Sequence, residues 1–207
     1  MNARRLSLAA FGMLLMGASV FAQTPEPGTQ TSTPKREARA EKRADRQQKR
    51  IAQGVASGSL TPKETARIER KEAKIDRDIV KAEADGKVTK KEAAKIQKEQ
   101  NKESRRIKRQ KHDAQTGDPT SASSQRMQAD VQRNVNQQAR IEQGVKSGQL
   151  TNTEVAKLER GQSHVTGKEA RAGANGHVGA AEQANIQSAE NRQSARVYDK
   201  KHNATTK

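Results

Sequence analysis

The stretch from Lys81 to Glu92 carries oxygen donors at Glu83, Asp85 and Glu92, with Gly86 among them. Carboxylates at alternate positions, a glycine turn and a closing glutamate suit a hard divalent cation such as calcium. A loop of this kind also needs a donor at its first position. Lys81 stands there, and an ammonium has no lone pair to give. The matching positions before Glu64 hold Gln53, Val55 and Ser57, and those of a third such loop hold Arg171, Gly173 and Asn175. The same letters serve a plainer end, in which glycine stops one helix while Thr89 and Glu92 cap the next. The histidines His112, His164, His177 and His202 have no second histidine or cysteine three or four residues away, so no ligand pair shares a helical turn. His112 and His202 each follow a lysine at an expected helix end, where the macrodipole favours them. The chain has no cysteine, no Gly-x-Ser-x-Gly elbow and no phosphate-binding glycine loop. Its carboxylates alternate with Lys and Arg at helical spacings, as on a solvated face. The expected core is too thin to bury a carboxylate and shift its pKa. The chain is therefore read as non-enzymatic, with no cofactor.

What remains is charge. The formal net charge is +17, of which Arg4 and Arg5 belong to the N-terminal segment. Residues 35–114 carry 26 Lys and Arg against 14 Asp and Glu, and residues 115–207 carry 13 against 9. The candidate anion-binding residues are Lys90, Lys91, Lys95, Lys98, Lys102, Arg105, Arg106, Lys108, Arg109 and Lys111. A field this positive favours anionic polymers or an anionic membrane surface. Modules that grip nucleic acid add stacking aromatics, and beyond Phe21 the single aromatic is Tyr198. No specific nucleic-acid module is expected, and polyanion binding should be salt-sensitive.

These residues must be placed by helices. RIAQGVASGSLTPKETARIER at 50–70 and RIEQGVKSGQLTNTEVAKLER at 140–160 share 13 of 21 positions at an offset of 90. The match continues through Ala84–Val88 against Ala174–Val178, and through Asn101, Ser104, Lys111 and His112 against Asn191, Ser194, Lys201 and His202. This is a duplication. Each copy reads as three helices, started by Thr61-Pro62-Lys63-Glu64, Thr89-Lys90-Lys91-Glu92 and Thr151-Asn152-Thr153-Glu154, all capping boxes. Ile68, Ile75, Ile79 and Ala82 share one face, as do Ile96 and Ile107. The expected fold is all-α: two tandem three-helix units, 35–114 and 126–204, joined by a flexible linker at 115–125. Large aliphatics are sparse, so a thin core and weak tertiary packing are expected. Gly161, Gly167, Gly173 and Gly176 mark the second unit as a frayed copy. Residues 1–22 have the positive start, apolar run and Val20-Phe21-Ala22 ending of a signal peptide. Residues 23–34 read as a disordered leader rich in Pro and Thr. Export should leave a mature start near Gln23, in the periplasm or outside the cell.

The loop at 81–92 resembles an EF-hand calcium loop, which implies a helix-loop-helix of calcium-responsive descent. The whole pattern, R-I-x-Q-G-V-x-S-G-x-L-T-x-x-E followed by D/N-G-x-V and then N-x-x-S with K-H-D/N, resembles a family of small exported proteobacterial proteins. It covers residues 46–114 and 136–204 and implies no activity. Leu60-Thr61-Pro62-Lys63-Glu64 and Leu150-Thr151-Asn152-Thr153-Glu154 are similar to the motif of the periplasmic L-T-x-x-Q chaperone and metal-stress family, with Glu for Gln. That likeness implies a holdase. The leading expectation is a helical protein that binds anionic envelope material, with the holdase and the calcium module as alternatives.

Overall fold

The computed structural model describes residues 33–85 and 87–204. The expected signal segment and nearly all of the leader lie outside them. The described residues form six α-helices: α1 (Thr33–Ala56), α2 (Pro62–Glu83), α3 (Lys90–Gln110), α4 (Ala122–Lys146), α5 (Asn152–Ala172) and α6 (Ala180–Lys201). A short 3₁₀ turn, Gly173–Asn175, follows α5. The fold is all-α, as expected.

The caps form where the sequence places them. Thr61 accepts the Glu64 N–H at 3.2 Å while Glu64 accepts the Thr61 N–H at 3.0 Å. Thr89 with Glu92 and Thr151 with Glu154 repeat this reciprocal pair. Before α6 the threonine is replaced by Gly179, so only half of the box survives, the Gly179 N–H donating to Glu182 at 2.8 Å. Gly58 and Gly148 turn the chain between the first two helices of each copy at φ +72° and +74°.

Packing departs from expectation in three respects. The copies are not loosely tethered: α2 runs along α5 and α1 along α4. Ser163 Oγ donates to the Ala73 carbonyl at 2.9 Å, and these two residues are themselves repeat equivalents. Gly173, at the end of α5, lies against Ala66 and Pro62 at the start of α2, so the two helices are antiparallel. One apolar cluster is shared by both copies, with Ile51, Val55, Leu60, Ile68 and Ile107 meeting Met127, Val131, Val178 and Ile186.

The linker is also held. The Gly117 N–H donates to the Gly58 carbonyl at 2.8 Å, and Gln128 Nε2 donates to the Pro119 carbonyl at 2.7 Å. Finally, the second copy is not frayed. Helix α5 passes unbroken through Gly161 and Gly167. Its glycines are spaces for neighbours: Gln193 lies over Gly161, and a Cβ on Gly173 would sit 2.6 Å from Met127 Cε and 2.9 Å from Ala66 Cβ. The propensity cost of about 1 kcal/mol per glycine is outweighed by the close approach those glycines permit.

Candidate functional site: a cationic exterior over an acidic interior

The letters repeated between copies mostly hold the helices together. Along α1, Arg36, Arg43 and Arg50 fall seven residues apart and reach across to the third element of their copy. Arg36 donates to the Val88 carbonyl at 2.8 Å, Arg43 to Asn101 Oδ1, and Arg50 to Ser104 Oγ at 2.7 Å. Arg126, Arg133 and Arg140 do the same to Val178, Asn191 and Ser194. Lys111 and Lys201 make matching bonds to Gln53 and Gln143 at 3.1 and 3.0 Å. Lys111, expected as an anion ligand, is therefore a strut between α3 and α1, and burial lowers its pKa. Arg106 is likewise half-buried and paired with the buried Glu103 at 3.6 Å.

The other expected cations, Lys90, Lys91, Lys95, Lys98, Lys102, Arg105, Lys108 and Arg109, are exposed on α3. Lys95 approaches Asp78 of α2 at 3.4 Å. Helix α2 adds exposed Lys63, Arg67, Arg70, Lys71, Lys74, Arg77 and Lys81, which the sequence reading left out of the site. A groove of about 160 Å³ between α2 and α3 is lined by Lys71, Lys74, Lys102 and Arg106 with Glu99 and Glu103.

The metal candidates do not converge. Asp85 is exposed and accepts the Lys87 N–H at 3.0 Å. Glu92 is committed to Thr89, whose hydroxyl and N–H hold its carboxyl below the usual range. Glu83 is half-buried, and burial together with Glu41 and Glu37 pushes its carboxyl up to about 8. Among the described residues no group of three or more His, Cys, Asp or Glu could hold a metal ion. His202 stacks on Tyr198 with ring centroids 4.1 Å apart, and burial, with the nearby cations Lys168 and Arg171 adding to it, lowers the pKa of His164.

The interior overturns the reading of the carboxylates as a solvated face. Glu69, Glu72, Glu103, Asp130, Glu159, Glu169 and Glu190 are all buried. Amides hold one oxygen of several: Gln48 donates to Glu69 at 3.3 Å, Gln138 to Glu159 at 2.9 Å, and Asn134 to Glu169 at 2.6 Å. Oε1 of Glu69, Glu72 and Glu169 has no hydrogen-bond partner among the described residues. Burial pushes Glu69 up to about 8, with Asp76 and Glu103 adding to it. It pushes Asp76 and Asp130 to about 7. Glu190 rises to about 8 although Arg133 Nε lies 3.2 Å away. Glu72, Glu159 and Glu169 are raised well above the ordinary carboxyl value by burial. Glu159 and Glu169 also feel carboxyls of the first copy, Glu41 and Asp76 on Glu159 and Glu69 on Glu169, which a reading of each copy alone does not bring together. Their trace in the sequence is Glu69, Glu72, Asp76 and Glu83 at spacings of three, four and seven, a helical stripe next to the isoleucine face.

The chain matches no protein-family model, no curated protein and no solved structure.

Proposed function

We propose that the protein is an exported, non-enzymatic helical binding protein whose basic first copy associates with anionic material of the cell envelope. The observation that carries this reading is the contrast in exposed charge between two copies of one scaffold. Exposed cations crowd α2 and α3, whereas α5 and α6 present exposed Lys157, Arg160, Arg171, Arg192 and Arg196 and little else of that sign. Arg67, Arg70 and Lys81 of α2 are matched by Lys157, Arg160 and Arg171, but among the exposed cations of α3 Lys102 alone has a cationic equivalent, Arg192, so the charges of α3 are the ones separable from folding. A holdase is less well supported, because the exposed large hydrophobic side chain among the described residues is Tyr198, and holding an unfolding client needs apolar surface.

The test uses the full-length chain on immobilised heparin as a generic polyanion. Retention should fall steeply as salt rises, because binding releases condensed counterions. A chain that ignores heparin at low salt, yet suppresses aggregation of an unfolding client at high salt, would replace this reading with the holdase. N-terminal sequencing of protein from the extracytoplasmic fraction should begin at or next to Gln23; an intact Met1 species in the membrane fraction would count against cleavage.

A further inference from the structure

On α3, the exposed residues Lys91, Lys95, Lys98, Lys102, Arg105 and Arg109 follow one another at steps of four, three, four, three and four. That alternation keeps side chains on one face of a helix. The row spans 18 residues, or about 27 Å at 1.5 Å per residue. Its steps advance about 4.5–6 Å along the axis. Lys91, Lys98, Lys102, Arg105 and Arg109 make no side-chain hydrogen bond or ion pair among the described residues, while Lys95 is shared with Asp78. The acids of α3 make no ion pair with the row: Glu92 is tied to Thr89, Glu99 to Lys74 at 2.9 Å, and Glu103, buried beside Arg106, feels Lys102 and Arg109 only at longer range.

The repeat supplies an internal comparison. At the offset of 90 the row becomes Ala181, Asn185, Ser188, Arg192, Ala195 and Asp199 on α6. One cation survives and one position is acidic. Helices α3 and α6 make the same kinds of scaffold contact, so folding does not require the row.

The helix beneath is rigidly placed. Ile96, Gln100, Glu103 and Ile107 are buried. Gln100 Nε2 donates to the Ala40 carbonyl at 2.8 Å, and Gln47 returns a bond to the Gln100 carbonyl at 3.1 Å. A row fixed in this way does not have to be ordered on binding.

We propose that this row on α3 is a linear docking track for one extended acidic polysaccharide with an anionic group on each sugar. The inference rests on the proposed association with anionic envelope material and narrows it. Each step of the row is close to the length of one pyranose ring, so successive cations can meet successive sugars. A duplex nucleic acid carries a charge about every 1.7 Å, much finer than the row, and no aromatic on α3 stacks a base. A helix that lies in a bilayer interface buries its apolar face in lipid, and the apolar face of α3 is already packed in the core.

The decisive comparison is between two full-length triple variants. One carries Lys98→Gln, Lys102→Gln and Arg105→Gln on the track. The other carries Arg39→Gln, Lys42→Gln and Arg46→Gln on the exposed side of α1 and loses the same charge. The probes are polygalacturonate, phosphatidylglycerol vesicles and single-stranded DNA, each titrated with salt. Circular dichroism should be unchanged in both variants, since every substituted side chain is exposed. The track variant should lose about tenfold or more of its polygalacturonate affinity at low salt, and its log–log salt slope should shrink by about 2, near 0.7 for each of three lost contacts. The α1 variant should lose much less. Equal losses would overturn the track and leave the wider reading standing. Tighter binding to vesicles or DNA than to polygalacturonate would overturn the polysaccharide as partner. No binding to any probe at low salt would overturn both proposals.

Discussion

Raising the pH from 5 to 9 should loosen the seam between the two copies. Glu69 shows the sign and the size. Its side chain is fully buried between the copies, one oxygen held by Gln48 and the other without a partner. Among its neighbours the Gln48 hydrogen bond acts most and lowers the pKa, while the carboxyls of Asp76 and Glu103 raise it. Burial carries its carboxyl from 4.5 to about 8, so between those values the folded chain keeps a proton that the unfolded chain has released. Stability from this group is fully present below about 4.5 and is lost as pH rises through about 8. At about 1.4 kcal/mol per pH unit, ionising Glu69 in place costs on the order of 5 kcal/mol. Glu72, Glu159 and Glu169 are raised in the same direction. A domain has only about 5–15 kcal/mol of stability in all, so the seam should admit water before all of these groups ionise in a closed core. The assay is a set of thermal melts from pH 5 to 9, with amide exchange followed on α2 and α5. The melting temperature should fall across that range, and exchange should rise first around Ala73 and Ser163. Glu69→Gln should melt higher than the parent at pH 8 and should lessen the pH dependence. A melting temperature that holds constant or rises from pH 5 to 8 would refute the reasoning.

Gly173→Ala places a methyl against Met127, Ala66 and the Pro62 carbonyl; overpacking should cost about 1–3 kcal/mol in chemical denaturation, and an unchanged midpoint would show that the helix ends are not closely packed. Thr151→Ala removes the acceptor for the Glu154 N–H at the start of α5 and should cost about 1 kcal/mol, whereas Gly179→Thr should stabilise α6 by completing its half box. Millimolar calcium should leave the circular dichroism and melting temperature unchanged, because Glu92 is engaged by Thr89 and Lys81 occupies a donor position; a calcium-dependent rise in melting temperature would count against that assignment.

The helices and their starts were legible because capping is local. Thr61, Thr89 and Thr151 announce α2, α3 and α5 through a residue three positions on. The duplication was legible too, and it recurs in hydrogen bonds such as those of Arg36 and Arg126, Arg43 and Arg133, and Arg50 and Arg140. The way the copies meet was not legible. The contact leaves no period in a sequence beyond the repeat itself, and beside its apolar side chains it includes Gly173 and carboxylates such as Glu159 and Glu169, which in isolation suggest fraying and solvation. Gly161 and Gly173 break propensity rules and satisfy packing ones. Glu69 and Glu159 were hidden by their letter, since a glutamate beside arginines reads as a surface charge until a second copy covers it. Most of the cationic residues named on α3 are exposed, but Arg106 and Lys111 could be separated from the rest only once α1 and α2 were in place.

The anchored connection between α3 and α4 has a consequence for dilution. Two separate subunits meeting through surfaces like those of α2 and α5 would part as their concentration falls. Here the partner surface is carried on the same chain, joined through residues 111–121 and pinned at Gly58 by Gly117. A short tether of this kind holds its cargo at an effective concentration in the millimolar range. Opening of the seam is therefore a unimolecular event, and its reclosure does not depend on how much protein is present. A protein released into a large extracytoplasmic volume keeps its paired form at any abundance, because its second subunit travels with it.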